Sequence, residues 1–459
     1  MKRFLILSGI TAILAGCASR DIEVKTAITT PDRFENASLA GAEVTDDASW
    51  WASFGDPQLC DLILKALANN RSLKASEAAV RQAGAASSSA RSTLFPTLGL
   101  VGQLASEETL INPDGTTQAE SWGLGAQWEL DIFGQNRNQA RAAAQLAYAT
   151  EEEYRAARMM VASSTANTYL TWLNVRARTV VLLNAITVQK HTLELVNGRL
   201  PEGLSSTFDV DRAKASLAAT EAMMPKLDMA ENKLRNALAV LTGQPPQELV
   251  LQNTDWDSVR VPQPPVLLPS TVLLRRPDVQ AAQRTVRAQM YAVGAAKAAY
   301  YPKFNFSLVA QAQQLQFSVA GMPSLNGPVS AMALDATLPI FTAGKIRAAV
   351  RGQEARLDAV AALYENTILE AVADVENAYK AYSATNTRLA SLQNSADSAA
   401  SAAESIDGLY EGGLADMTDV LSTRTACMER ADALLQGSLE YALAAVSLHD
   451  ALGGFSLPQ

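Results

Sequence analysis

The sequence predicts a mainly α-helical chain that contributes strands to a membrane β-barrel. Three observations predict this. The chain contains a large internal duplication, and each copy holds a hairpin of alternating apolar and polar residues. A helical stretch of roughly 60 residues follows each hairpin, against ~11–12 for an average helix.

The duplication is read from self-matches. Leu94-Phe95-Pro96 matches Tyr300-Tyr301-Pro302 at an offset of 206. Trp128 to Gly134 matches Ala336 to Thr342 at an offset of 208, and Arg199 to Asp209 matches Leu409 to Asp419 at 210. A period this long means two copies of one large unit, whereas a solenoid has a short repeat.

The hairpins come next. In the first, Trp122, Leu124, Ala126, Trp128, Leu130 and Ile132 share one face. Ser121, Gly123, Gly125, Gln127, Glu129 and Asp131 share the other. The first strand alternates likewise at Leu98, Leu100 and Leu104, and the turn holds Asn112-Pro113-Asp114-Gly115. In the second copy, Phe304 to Gln311 and Met332 to Phe341 alternate around a turn with Gly321, Pro323, Gly327 and Pro328. Strand side chains alternate faces, so one side meets lipid or core and the other meets water. Open edges in lipid would leave backbone groups unpaired. Bacterial barrels start at about eight strands, so strands in a membrane here require several chains to share one barrel.

The long helices are expected at about 135–197 and 345–407. Each would rise roughly 90–95 Å at ~1.5 Å per residue. In the second, Ile346, Val350, Leu357, Val360, Tyr364, Val372, Val375, Tyr379 and Tyr382 recur at near-heptad spacing among small and polar residues. That pattern favours coiled-coil packing. Further helices are expected from about Asp209 to Leu241 and from about Asp419 to Ala451, after turns carrying Gly203, Gly412 and Gly413.

At the N-terminus, Lys2-Arg3 precedes the apolar run Phe4 to Ala15, which is too short to span a bilayer and fits a signal peptide. Leu14-Ala15-Gly16-Cys17 matches the bacterial lipobox, predicting acylation of Cys17 after cleavage. Asp56 suits a helix N-cap and Pro57 the first helical position, with a break near Asn69-Asn70. Between the copies, Gln244 to Ser270 holds a third of the chain's 18 prolines and reads as an extended linker that Trp256 pins to a helix. The expected organisation is a signal peptide (1–16), a lipidated tether (17–55), a first repeat (56–243), a Pro-rich linker (244–270) and a second repeat (271–459). The strands are expected at about 97–105, 121–133, 303–315 and 329–341.

Composition excludes several function classes. A net charge of −9 argues against nucleic acid as a partner. The two histidines, His191 and His449, fall on helical sequence without a partner motif. Cys60 and Cys427 form no metal or redox spacing, and no phosphate-binding loop is present. Neither an enzyme nor a cofactor is expected.

Taken with Trp50-Trp51…Phe54-Gly55-Asp56-Pro57, Leu274-Arg275-Arg276-Pro277-Asp278, Leu338-Pro339-Ile340-Phe341 and Gly413-Leu414…Thr418-Asp419-Val420-Leu421, the chain resembles the outer membrane factor family of TolC-like efflux channels. The likeness covers nearly the whole chain and points to the family's NodT-type lipoprotein branch. It implies a homotrimer in which three chains build a twelve-stranded barrel over an α-helical tunnel, with the linker and both termini forming an equatorial belt. It also implies a lipid-anchored protein of the bacterial outer membrane that extends into the periplasm, with diacylglycerol and an N-acyl chain on Cys17. The implied partners are a periplasmic adaptor and an inner membrane transporter of the RND type. Small molecules such as drugs, toxic compounds or metals would leave passively through the channel.

By the same resemblance, the periplasmic gate falls at Tyr410, Asp416 and Asp419, and the turns at Gly203 and Gly413 dock the adaptor. Where members of the family often have a second acid and a gate arginine, this chain has Ser422 and Ala415. Asp419 has two compatible readings: a lumenal ring that favours cations, or a residue that satisfies a helix N-terminus. The competing functions are a conduit for type I protein secretion and a coiled-coil lipoprotein that does not span the membrane.

Overall fold

The computed structural model describes residues 28, 31–36, 50–108, 116–263, 267–317 and 324–454. The signal segment and Cys17 lie outside them. The described chain contains α1 (Pro57–Asn69), α2 (Arg71–Ser92), β1 (Thr97–Glu108), β2 (Thr116–Leu130) and α3 (Gln135–Arg199). It continues through α4 (Thr207–Glu221), α5 (Met224–Leu241), α6 (Pro269–Arg275) and α7 (Pro277–Ala298). Then come β3 (Lys303–Phe317), β4 (Leu325–Thr337), α8 (Lys345–Glu411) and α9 (Met417–Ala451). The long helices α3 and α8 have 65 and 67 residues. Two compact units result, one built around residues Arg81–Thr150 and Ala282–Glu365, the other around Thr29–Val80, Glu151–Ala281 and Asn366–Gln459.

The first unit holds one antiparallel sheet in the order β1-β2-β3-β4. Its register carries the predicted alternation across all four strands. Leu98, Ala126, Leu308 and Met332 form one cross-strand row, and Leu100, Leu124, Ala310 and Ser330 form another on the same face. The opposite face has rows such as Gln103, Ser121, Gln313 and Gly327. Leu98, Leu100, Trp122, Leu124, Met332 and Leu334 are exposed in the single chain. Trp122 and Trp128 stand toward opposite ends of this apolar band. Gly123 is required by contact: a Cβ there would lie 2.2 Å from the Ala310 carbonyl oxygen.

Several boundaries differ from expectation, each for a local reason. β2 ends at Leu130, short of 133. Asp131 turns out of the strand, and its carboxylate accepts the backbone N–H groups of Asn136 (3.1 Å) and Arg137 (2.7 Å) at the start of α3. β4 spans Leu325–Thr337, displaced from 329–341, and left-handed Ala343 and Gly344 lead into α8. The helix expected over residues 209–241 is split, because Pro225 has no N–H to donate within the helix. Leu435 stands at the matching place in the second copy, and α9 runs unbroken. The linker is not wholly extended: Trp256–Ser258 forms a 3-10 turn and Pro269 opens α6.

The second unit packs around Trp50, Trp51, Phe54, Leu59, Ile63, Tyr169, Leu170, Leu238, Tyr379 and Leu448. Asn70 divides α1 from α2, its side-chain oxygen accepting the N–H groups of Ser72 (2.9 Å) and Leu73 (3.2 Å). Trp256 pins the linker to α9 through its Nε1–H, which donates to Ser438 Oγ at 2.9 Å. Arg276 joins the start of α7 to the two last helices, donating to Asp374 (3.1 Å) and to the Ala451 carbonyl (3.2 Å).

Candidate functional site

The predicted site residues gather at two turns of the second unit, α3 to α4 and α8 to α9. Both turns are made in the same way. Each preceding helix closes with a glycine in left-handed backbone, Gly203 at φ 71° and Gly413 at φ 73°. In the first turn, the Leu204 N–H donates to the Arg199 carbonyl (3.1 Å) and Gly203 N–H to Leu200 (3.1 Å). In the second, Leu414 N–H donates to Leu409 (2.8 Å) and Gly413 N–H to Tyr410 (3.2 Å). This is the Schellman closure, which satisfies the last carbonyls of a helix and favours glycine. The same pair of bonds recurs at Gly243 and Gly453, the ends of α5 and α9.

The following helices start with matching capping boxes. Ser206 Oγ accepts the Asp209 N–H (3.1 Å), and the Asp209 carboxylate accepts the Ser206 N–H (3.0 Å). Asp416 accepts the Asp419 N–H (2.9 Å), and Asp419 accepts the Asp416 N–H (3.1 Å). Two orphan donors are thereby satisfied at each helix start. The side-chain hydrogen bond from Ser206 holds the Asp209 carboxyl below its ordinary range. The Asp419 backbone N–H does the same for Asp416.

Apolar packing joins the two turns. Val196, Val210, Ile406, Met417, Val420 and Leu421 form a small buried cluster. Tyr410 and Ala415 pack against it. Three arginines then bridge elements. The Arg199 guanidinium lies over the Tyr410 ring, 5.0 Å from its centroid. Arg212 donates to Thr418 Oγ1 at 2.5 Å. Arg424 donates to the Asp407 carboxylate (2.6 Å), the Val188 carbonyl (3.3 Å) and the Thr192 hydroxyl, tying α9 to α8 and α3.

Tyr410, Asp416, Asp419, Gly203 and Gly413 thus lie in one pair of turns, while Cys17 lies outside the described residues. Asp419 does occupy the helix-start role. Ser422 donates its hydroxyl to the Asp419 carbonyl (3.1 Å), so it adds no second acid. The arginine bridges were missed. Arg424 reaches partners 17 and more than 200 residues away, and no local sequence pattern marks such contacts. The tips themselves are apolar and open: Leu204 is 69% exposed and Leu414 80%. Among the described residues no cluster of potential metal ligands occurs, and no helix is long and apolar enough to cross a membrane.

The family model for outer membrane efflux proteins matches residues 62–244 and 268–454, the two halves of the duplication. The chain belongs to the outer membrane efflux protein family. It is 28% identical over 464 residues to the pyoverdine export outer membrane protein OpmQ of Pseudomonas aeruginosa, covering 99% of this chain and 97% of that one. It is 26% identical over 454 residues to the probable outer membrane lipoprotein SilC of Salmonella typhimurium, covering 96% of each. The solved outer-membrane channel OprN superposes with a TM-score of 0.87 at 26% identity, over 96% of this chain and all of the other. As an outer membrane efflux protein, the chain is the outer membrane channel of a tripartite efflux pump. Its fold class is mainly α with a trimeric twelve-stranded barrel and an α-helical tunnel, the described residues of each chain forming four strands. Such a channel implies an adaptor and an inner membrane transporter as partners.

Proposed function

We propose that this channel gives passive exit to small molecules, among them drugs, toxic compounds or metals, delivered by a periplasmic adaptor and an RND-type transporter. The observation that carries this reading is the four-stranded sheet with apolar rows through Leu98, Leu100, Trp122 and Leu124 on one face and rows such as Gln103, Ser121, Gln313 and Gly327 on the other. A sheet so divided fits a lipid-embedded wall around a wet lumen. The proposed role needs no catalytic group and no cofactor.

In this reading the paired turns form the periplasmic gate, with Tyr410, Asp416 and Asp419 at the second turn. Arg424 supplies the closing tie where position 415 holds alanine. Gly203 and Gly413 dock the adaptor, and the exposed Leu204 and Leu414 beside them offer it apolar contacts. Cys17 carries the diacylglycerol and N-acyl anchor, a reading supported by the lipobox and by the lipoprotein name of SilC. The reading is tested by planar-bilayer recording of the purified trimer. A small closed-state conductance that rises when the turn contacts are removed is expected. A trimer that never conducts would overturn the reading.

A further inference from the structure

The segment just before the folded body makes contacts that its composition does not announce. Phe34 is buried in the core of the second unit, its ring 6.0 Å from that of Tyr379 on α8. Both neighbouring peptide N–H groups beyond it are held by one carboxylate. Glu376 Oε1 accepts the N–H of Glu35 at 2.6 Å. Glu376 Oε2 accepts the N–H of Asn36 at 3.0 Å and its side-chain Nδ2 at 2.8 Å. Three donors on one carboxyl group, beside a buried aromatic ring, make a peptide-binding site of two complementary parts.

We infer that Glu376 and Tyr379 form a capture site on α8 that fastens residues 34–36 of the N-terminal arm. Two consequences follow. The exposed Arg33 precedes the buried Phe34, so the site shields the Arg33–Phe34 peptide bond while its basic side chain stays accessible. The second consequence rests on the lipid reading of Cys17. Seventeen peptide units join Cys17 to Phe34, so the anchor stays within about 60 Å of the capture site. The lipid's hold is then delivered to α8 at Glu376, and a cut at Arg33 would free each chain of the channel from its own anchor.

Trypsin digestion of the detergent-solubilised mature trimer tests the site, following by mass the fragment that begins at Phe34. Slow cleavage is expected in the unaltered protein, about tenfold or more faster in Glu376→Ala, and unchanged in Glu404→Ala, a control on the same helix. Hydrogen exchange at the Glu35 and Asn36 amides should accelerate in the same variant. Should Glu376→Ala fail to assemble, Glu376→Gln keeps the shape and removes the charge, and an intermediate rate is expected. Rapid cleavage at Arg33 in the unaltered trimer, or equal rates in it and in the Glu376 variants, would overturn the capture site. The lipid reading fails separately: a mass that lacks acyl chains and does not change beyond one atom on Cys17→Ser removes the anchor consequence and leaves the Arg33 protection readable.

Discussion

The Tyr169 hydroxyl on α3 donates to the Asp56 carboxylate at 2.6 Å, deep in the core. The other oxygen of Asp56 accepts the N–H groups of Gln58 (2.7 Å) and Leu59 (3.2 Å) and so caps α1. One carboxylate therefore starts a helix and satisfies a buried phenol. Burial first, and this bond second, push the Tyr169 hydroxyl well above its ordinary range. Asp56→Ala should destabilise the protein by about 2–4 kcal/mol, since it removes a cap and the acceptor of a buried hydroxyl. Tyr169→Phe keeps the cap and should cost about 1 kcal/mol. Denaturation of the detergent-solubilised trimer checks the order; equal losses would contradict it.

Asp419 can be separated into its two roles by changing charge and cap in turn. Asp419→Asn retains an oxygen for the Asp416 N–H and loses the charge. If the residue forms a lumenal ring, cation preference in a planar bilayer should fall with little loss of stability. Asp419→Ala removes the cap as well and should raise the closed-state leak. Conductance and selectivity unchanged in both would leave Asp419 with the capping role alone.

Arg424→Ala removes the tie from α9 to Asp407, Thr192 and Val188. A several-fold rise in closed-state conductance is expected, with about 1–2 kcal/mol of stability lost. A Glu404→Ala control should do neither. The single-channel record decides it.

His449 is buried and stacked on Trp50, with ring centroids 5.4 Å apart. Burial lowers its pKa to about 4. The unfolded chain therefore takes up this proton near pH 6.5 and the folded chain only near pH 4. Stability from this residue is complete above pH 6.5, falls across the interval, and is fully lost below about pH 4. The full loss is on the order of 3 kcal/mol. His449→Phe should flatten this part of the stability profile; an unchanged pH slope would count against it.

Leu124 lies on the apolar face between Leu100 and Ala310. Leu124→Arg should impair insertion and trimer formation, at a cost of about 2–4 kcal/mol near mid-bilayer. Light scattering of the extracted particle, with detergent subtracted, gives the chain number. A normal trimer yield would reverse the assigned face.

Much of this protein was readable in one dimension because its signals are periodic. The period-two rows through Leu124 and Gln127, the long helical runs and the glycine turns each depend on neighbours a few residues apart. Boundaries were less readable, because Asp131 and Pro225 act through a few hydrogen bonds made or lost. The site divided in the same way. Gly203, Gly413, Asp416 and Asp419 announce themselves through local turn and cap chemistry, whereas Arg424 and Glu376 do not.

The sequence by itself determined the duplication, the two faces of the sheet, the long helices and the paired turns. Their causes are local: alternation, helical spacing, left-handed glycine and capping side chains. Only the tertiary structure decided that Arg424 bridges three helices, that Asp56 meets Tyr169, and that Glu376 holds residues 35 and 36. Those contacts join positions from 17 to 341 residues apart, and their energy exists only once packing has already brought the chain segments together.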